Sequence, residues 1–72
     1  MAWLSTAQYD RLERAVRDGE RLALVRRGRE LVAIPLRLFL RDSREVLEVR
    51  HPTTGDLLAF PLDDLDAIDF LP

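Results

Sequence analysis

The spacing of the hydrophobic residues changes once along this chain, at Gly19. Before Gly19, Tyr9, Leu12 and Val16 recur at intervals of three and four residues, which is the pattern of a helix with one apolar face. After Gly19, hydrophobic residues fall on alternate positions, as they do in half-buried β-strands. One helical segment followed only by strand-like segments predicts an α+β fold with antiparallel strands.

The helix is predicted at about Thr6–Asp18. Ser5 and Gln8 have the spacing of a capping box, in which each side chain binds the backbone N–H of the other residue. Leu4 is placed to pack against the first turn of the helix. Gly19 is the expected end, because glycine takes a positive φ without strain.

The remaining chain predicts short strands joined by tight turns at Arg27-Gly28 and Asp42-Ser43. Pro35 lacks a backbone donor and is expected at a bulge, bend or strand start, and Pro61–Leu65 reads as one helical turn. Leu36, Leu38 and Leu40 are expected on one face, with Arg37, Phe39 and Arg41 on the other. The predicted strands are Arg21–Arg26, Glu30–Ile34, Leu36–Arg41, Glu45–Arg50, Leu57–Phe60 and Ala67–Leu71.

Strands this short and numerous have to curl around one interior, because a flat sheet leaves long edges and a one-sided core. The sequence therefore predicts an N-terminal helix (about residues 6–18) followed by a small, partly open SH3-like or Sm-like antiparallel β-barrel (about residues 21–71). Five to six strands are expected in this barrel. The whole chain, residues 1–72, is expected to be a single domain.

Composition limits how so small a domain can be stabilised. The chain has no cysteine and one histidine, which excludes a disulfide framework and a Cys/His zinc site, and we expect no cofactor or metal. Because 47% of the residues are hydrophobic, aliphatic packing is the expected source of stability. The sequence contains no apolar run of about 20 residues and no signal-peptide pattern at its start, so we expect a cytoplasmic protein without a membrane partner.

The order of several segments resembles the WYL domain. Glu13–Arg17 (ERAVR) leads into the basic-aliphatic segment Arg21–Val25 (RLALV), as a helix leads into a strand in that family. Ile34–Asp42 (IPLRLFLRD) matches the family's Pro-x-x-Leu…Arg-Asp stretch. Gly55–Leu65 (GDLLAFPLDDL) is similar to its Gly-x-x-x-Phe-x-Leu-x-x-Ile ending, with one additional residue between Gly55 and Phe60 and with Leu65 in place of the isoleucine. The WYL domain is an Sm-like or SH3-like barrel found in bacterial regulators, so the resemblance implies this barrel and a role in regulation.

The chain also departs from the family pattern. The Trp-Tyr-Leu triplet falls on Glu45-Val46-Leu47, where only the leucine remains, and Asp63 or Asp64 replaces a basic residue near the end. The resemblance implies binding of a small ligand or nucleic acid near these motifs. It assigns no ligand-binding role to Glu45, Val46 or Asp64.

No set of residues predicts catalysis. His51 precedes Pro52 in a run of turn-forming residues, where a general base or metal ligand is a weaker interpretation than a solvated loop histidine. The sequence has no Ser-His-Asp motif and no glycine-rich phosphate loop. We therefore expect a non-catalytic interaction or ligand-sensing module with a regulatory role, which binds a protein partner or a small ligand.

Two alternatives remain open from the residues. The first is RNA or single-stranded DNA binding through arginine-rich strands, with an aromatic ring available for base stacking. The second is a self-associating structural subunit, a homo-oligomer, because a small barrel has edge strands that can pair with a second copy. Interleaved acids and a net charge of −2 favour cross-strand ion pairs over nucleic-acid binding. The candidate nucleic-acid or ligand-binding residues are Arg26, Arg37, Phe39, Arg41 and Arg50.

Three residues are candidates for binding a protein partner. Trp3 either packs over the barrel or anchors another chain, since tryptophan is enriched in interfaces. Asp63 and Asp64 either lie in the first turn of a short helix or form a patch for a basic partner. A divalent-cation site that uses these acids together with Asp66 and Asp69 is less favoured, because their spacing lacks the Asp-x-Asp-x-Asp-Gly loop.

Overall fold

The computed structural model describes residues 4–71, and the candidate residue Trp3 lies outside them. One helix is followed by five antiparallel strands in the order β4-β3-β2-β1-β5, which confirms the α+β class. Strand neighbours are therefore adjacent in sequence except for β1 and β5. The elements are α1 (Thr6–Asp18), β1 (Leu22–Arg26), β2 (Arg29–Arg41), β3 (Arg44–Arg50), β4 (Leu57–Pro61), a 3₁₀ turn (Leu62–Asp64) and β5 (Ala67–Phe70).

Both predicted ends of α1 are confirmed. The Ser5 side chain accepts a hydrogen bond from the Gln8 N–H at 3.1 Å, and the Ser5 N–H donates to Gln8 Oε1 at 2.9 Å. Gly19 ends the helix with a φ of 67°, and its N–H donates to the Ala15 carbonyl oxygen. Within residues 4–71 no helix is long and apolar enough to cross a membrane.

The second strand differs from its prediction. We expected two strands separated at Pro35, whereas β2 runs without interruption for 13 residues. Pro35 pairs with Val49, and the next register pair is Arg37 with Glu48, so Leu36 is an extra residue in a β-bulge. The bulge next to Pro35 was predicted, and the break in the strand was wrong.

The bulge changes which residues face the core. Ala33 and Pro35 are buried before the bulge, and Leu38 packs against the core after it, so the inward positions change from odd to even numbers. Leu36 was expected to share the face of Leu38 and Leu40, and this expectation was wrong. As the extra residue, Leu36 is 38% exposed. Leu40 is on the face of Leu38 but is 70% exposed, close to the end of the strand.

One hydrophobic core joins the helix to the sheet. Arg11 of α1 stabilises this arrangement from the outside, because it donates two hydrogen bonds to the Glu20 carboxylate, at 2.7 and 3.2 Å. The same guanidinium carbon lies 4.6 Å from the centroid of the Phe70 ring on β5. Arg11 therefore links the helix, the segment after it and the last strand. The buried core residues are Leu12, Ala15, Leu22, Leu24, Ala33, Leu47, Val49, Leu62 and Leu65.

The sheet is not closed, and β4 and β5 form its two edges. Each edge strand pairs with one neighbour, β4 with β3 and β5 with β1. Leu57 on β4 is 63% exposed, whereas the β5 edge carries the exposed Asp69. Edge strands are templates for pairing with another chain.

If the domain self-associates through these edges, its mass measured by light scattering should rise between low and high protein concentration. The expected size of the associated species is an integral multiple of the 72-residue chain. A monomeric mass at both concentrations contradicts the self-association hypothesis.

Candidate ligand-binding cleft

The β1–β2 hairpin ends in a tight turn that places two arginines opposite each other. Arg26 and Arg29 are the last register pair of the two strands, with Arg27 and Gly28 between them. Both turn residues have positive φ values, 52° and 77°, as a type I′ turn requires. The Arg27 N–H donates to Asp66 Oδ2 at 2.8 Å, which fixes the turn against the segment that leads into β5.

This turn forms one side of a cleft, which we call the hairpin cleft. Its volume of about 340 Å³ falls at the small end of ligand-binding pockets, about 300–1,000 Å³. All of the charged lining comes from the hairpin, whereas the apolar lining combines Leu24 and Leu31 of the hairpin with Phe60 of β4 and Leu65 after the 3₁₀ turn. The lining residues are Leu24, Leu31, Phe60 and Leu65 on the apolar side, and Arg26, Arg27, Arg29 and Glu30 on the charged side.

The arginines of the hairpin cleft are not neutralised by ion pairs. No ion pair within residues 4–71 includes Arg26, Arg27 or Arg29. The guanidinium carbon of Arg26 instead lies 5.8 Å from the centroid of the Phe60 ring, within the range of a cation–π contact. The cleft therefore combines a positive edge with an apolar floor.

The structure divides the predicted arginine-rich set between two places. Arg37, Phe39 and Arg41 lie together on the outer face of β2, as predicted, with guanidinium carbons 4.4 Å and 5.2 Å from the ring centroid. Glu48 on β3 is the register partner of Arg37. Arg50 lies two residues after Glu48 on the same strand, so it shares this outer face. Arg26 belongs to the hairpin cleft and does not join this group.

Carboxylates partly neutralise the outer face. Arg37 Nε lies 3.0 Å from Glu48 Oε1 on the neighbouring strand, which confirms the expected cross-strand ion pair. Arg44 pairs with Asp64 of the 3₁₀ turn at 3.6 Å. Of the two acids predicted to bind a partner, Asp63 is exposed on that turn and Asp64 contacts Arg44.

His51 organises the β3–β4 loop. Its Nδ1 accepts hydrogen bonds from the N–H groups of Thr53 and Thr54, at 3.1 and 3.2 Å. The backbone N–H of His51 donates to the Asp56 carbonyl oxygen at 2.8 Å. The imidazole thus satisfies loop backbone donors, a role that the sequence analysis missed. Across residues 4–71 no three His, Cys, Asp or Glu side chains are grouped in a way that could hold a metal ion.

Of the residues that line the hairpin cleft, the predicted site included only Arg26, and Arg27, Arg29 and Phe60 are among those that it missed. The signal for the two arginines was the Arg-Arg-Gly-Arg turn, since a two-residue turn places its flanking residues opposite each other. No local signal pointed to Phe60, which is more than 30 residues away in the chain. Comparison of the chain with protein-family models, with curated proteins and with solved structures finds no match.

Proposed function

We propose that this domain is a non-catalytic, ligand-sensing module that binds a small organic anion in the hairpin cleft and serves a regulatory role. The observation that carries the proposal is the pair Arg26 and Arg29, which oppose each other at the edge of an apolar cleft without a carboxylate partner within the described chain. Directly opposed like charges destabilise a strand pair, whereas an anion between them removes the repulsion.

The chemistry of the cleft defines the kind of ligand. An arginine guanidinium binds a phosphate or carboxylate through two parallel hydrogen bonds, and two opposed guanidinium groups are suited to one anionic group. The apolar floor, which includes Leu31 and Phe60, is suited to a hydrocarbon or aromatic portion of the same molecule. The proposed ligand is therefore a phosphate or carboxylate attached to a small apolar body.

We also propose that the sheet is a partly open, Sm-like or SH3-like barrel of the WYL type. This proposal is supported by the order of the elements, in which a helix precedes five antiparallel strands and a 3₁₀ turn joins β4 to β5. It is supported further by the bulge in β2, which pairs with β1 before the bulge and with β3 on both sides of it. A regulatory role for the chain rests on the resemblance to that family.

Phenyl phosphate is the probe that tests the proposed function. Titration into ¹⁵N-labelled protein at low salt should shift the amide signals of residues 24–31 and 60–66, with saturation, because these segments line the hairpin cleft or bind its turn. Benzyl alcohol, which has the ring without the charge, should produce no saturable shift. Added salt should weaken the binding of phenyl phosphate because it screens the arginine charges.

Two results of this titration contradict the proposal. One is the absence of a saturable shift at about 10 mM phenyl phosphate. Such a result would mean that the binding free energy is weaker than about −2.7 kcal/mol, which corresponds to a Kd of about 10 mM. The other is a saturable shift that is confined to the outer face of β2. Arg14→Gln is a control for non-specific binding to arginine, because it removes one exposed arginine of α1, outside the hairpin cleft. Its affinity for phenyl phosphate should equal that of the unaltered protein.

A second candidate function, single-stranded nucleic-acid binding, is favoured by the stack of Arg37 and Arg41 on Phe39. Aromatic rings bordered by arginines bind bases and phosphates together. It ranks second because the two guanidinium groups already contact the ring and Glu48 already pairs with Arg37.

Filter binding of oligouridylate and oligothymidylate, at low and moderate salt, tests this second function. The double variant Arg37→Glu/Arg41→Glu should abolish binding, whereas Arg14→Glu/Arg17→Glu has the same net charge and should retain it. Absence of binding by the unaltered protein at low salt contradicts the hypothesis, because counterion release makes such binding strongest there.

A further inference from the structure

The lining of the hairpin cleft carries more positive charge than a singly charged anion neutralises. Three arginines and one glutamate make up its charged part, which gives the lining a formal charge of +2. All four of these residues are exposed, and none of them forms an ion pair with any of residues 4–71. The charged residues are Arg26, Arg27, Arg29 and Glu30.

Glu30 does not offset the opposed arginine pair. It follows Arg29 directly on β2, so its side chain projects from the opposite face of the strand. Arg29 shares the face of Leu31, which packs against the core. Arg26 likewise shares the face of the buried Leu24 on β1. Both arginines therefore extend from the core-facing side of the hairpin, where the apolar floor lies, and Glu30 does not.

The third arginine, Arg27, is held at the turn by its backbone. Its N–H donates to Asp66 Oδ2 at 2.8 Å, and the Asp66 N–H donates to the Val25 carbonyl oxygen at 2.7 Å. These two bonds do not depend on the side chain at position 27. The Asp66 carboxylate does not line the cleft and forms no ion pair within the described part of the chain. The Arg27 guanidinium is therefore available to a ligand.

We infer that the ligand of the hairpin cleft is a phosphate monoester, a doubly charged anion, and not a carboxylate or another singly charged anion. This inference rests on the proposed function, because it concerns the ligand of the same cleft. A phosphate monoester has a second pKa of about 6, so it carries close to two charges above neutral pH. It offers three terminal oxygens to three guanidinium groups, whereas a carboxylate offers two. Its charge also equals the formal charge of the lining with opposite sign.

Arg27 is the specificity-determining residue in this arrangement. Arg26 and Arg29 face each other across the hairpin, and together they bind one anionic group. The second negative charge of a phosphate monoester is stabilised by the third guanidinium, which a singly charged anion does not require. Loss of the Arg27 charge should therefore change the preference between anions more than it changes the binding of a singly charged one.

Phenyl phosphate and phenyl sulfate, compared at about pH 8 and low salt, test the inference. The two molecules have the same ring and nearly the same tetrahedral head group, but phenyl sulfate has one negative charge. In NMR titrations of the ¹⁵N-labelled protein, phenyl sulfate should bind at least about fivefold more weakly, because it loses one of two charges beside three exposed guanidinium groups. Equal affinities overturn the inference and leave the proposed function standing. No saturable shift with either ligand overturns the proposed function, and the inference with it.

Variants of Arg27 locate the origin of the preference. Arg27→Gln should reduce the preference for phenyl phosphate to about twofold or less, whereas Arg27→Lys retains the charge and most of the preference. Both variants keep the backbone hydrogen bond to Asp66. Arg14→Gln, outside the cleft, should leave the preference unchanged. An undiminished preference in Arg27→Gln means that Arg27 does not determine it. Because the comparison of phosphate with sulfate uses the unaltered protein, it is decisive even if a variant does not fold.

Discussion

Replacing Leu47 by alanine is expected to remove a large part of the domain's folding stability. Leu47 is fully buried on β3, and it pairs with Leu38 on β2 and with Phe60 on β4, so the truncation opens a cavity in the middle of the sheet. Such truncations cost about 2–5 kcal/mol. At about 0.05–0.15 kcal/mol per residue, a chain of 72 residues has a total stability of about 4–11 kcal/mol. Denaturant unfolding should therefore show a large fall in the midpoint at an unchanged slope.

Leu40→Ala is the matched control for this prediction. It makes the same chemical change on β2, two residues after Leu38, at a side chain that is 70% exposed. It should alter the free energy of unfolding by about 0.5 kcal/mol or less. The chain has no cysteine, so no disulfide offsets the loss at Leu47. Equal losses at the two positions would mean that Leu47 is not at the centre of the core.

The parts of the fold that were predicted correctly depend on short-range signals. The ends of α1 follow from Ser5, Gln8 and Gly19, each of which acts within four residues of its partner. Strand alternation likewise placed Arg37 and Arg41 on one face with Phe39, because side-chain direction alternates within a single strand.

The continuity of β2 was not predictable from local pattern. A proline lacks a ladder donor, and this made a break at Pro35 the natural expectation. The strand continues because β3 pairs with it on both sides of the bulge, at Ile34 and Pro35 before it and at Arg37 after it. That pairing joins residues 11 to 16 positions apart in the sequence, so it is not a local signal. The change of the inward positions from odd to even numbers is seen in the structure, where the bulge produces it.

The hairpin cleft was predictable only in its charged part. The turn at Arg27-Gly28 places Arg26 opposite Arg29 by local geometry alone. The apolar floor also includes Phe60 and Leu65, which lie on either side of the 3₁₀ turn. The hydrogen bond from the Arg27 N–H to Asp66 holds this segment against the hairpin. Contacts over this sequence distance follow from tertiary packing, which the local pattern of a single sequence does not specify.

Replacing Arg29 by glutamate is expected to abolish ligand binding and to stabilise the fold. In the unaltered protein Arg29 lies directly opposite Arg26, and the substitution converts a like-charged cross-strand pair into an oppositely charged one. The expected gain in stability is about 0.5–1 kcal/mol, which corresponds to a rise of a few degrees in Tm for a domain of this size. Loss of one guanidinium from the hairpin cleft, together with a new negative charge, should weaken the binding of phenyl phosphate at least about thirtyfold.

Arg44→Glu is the control that separates these effects from a general change in charge. Arg44 occupies the equivalent position of the β2–β3 hairpin, directly opposite Arg41, but it already pairs with Asp64 at 3.6 Å. Its substitution brings a carboxylate close to Asp64, so Tm should not rise, and phenyl phosphate should bind as before. Thermal unfolding and the NMR titration measure both variants. A repulsive arginine pair that exists to hold an anion predicts opposite signs for stability and binding at Arg29. If Arg29→Glu lowers Tm and leaves the affinity for phenyl phosphate intact, the opposed arginines are not a binding site.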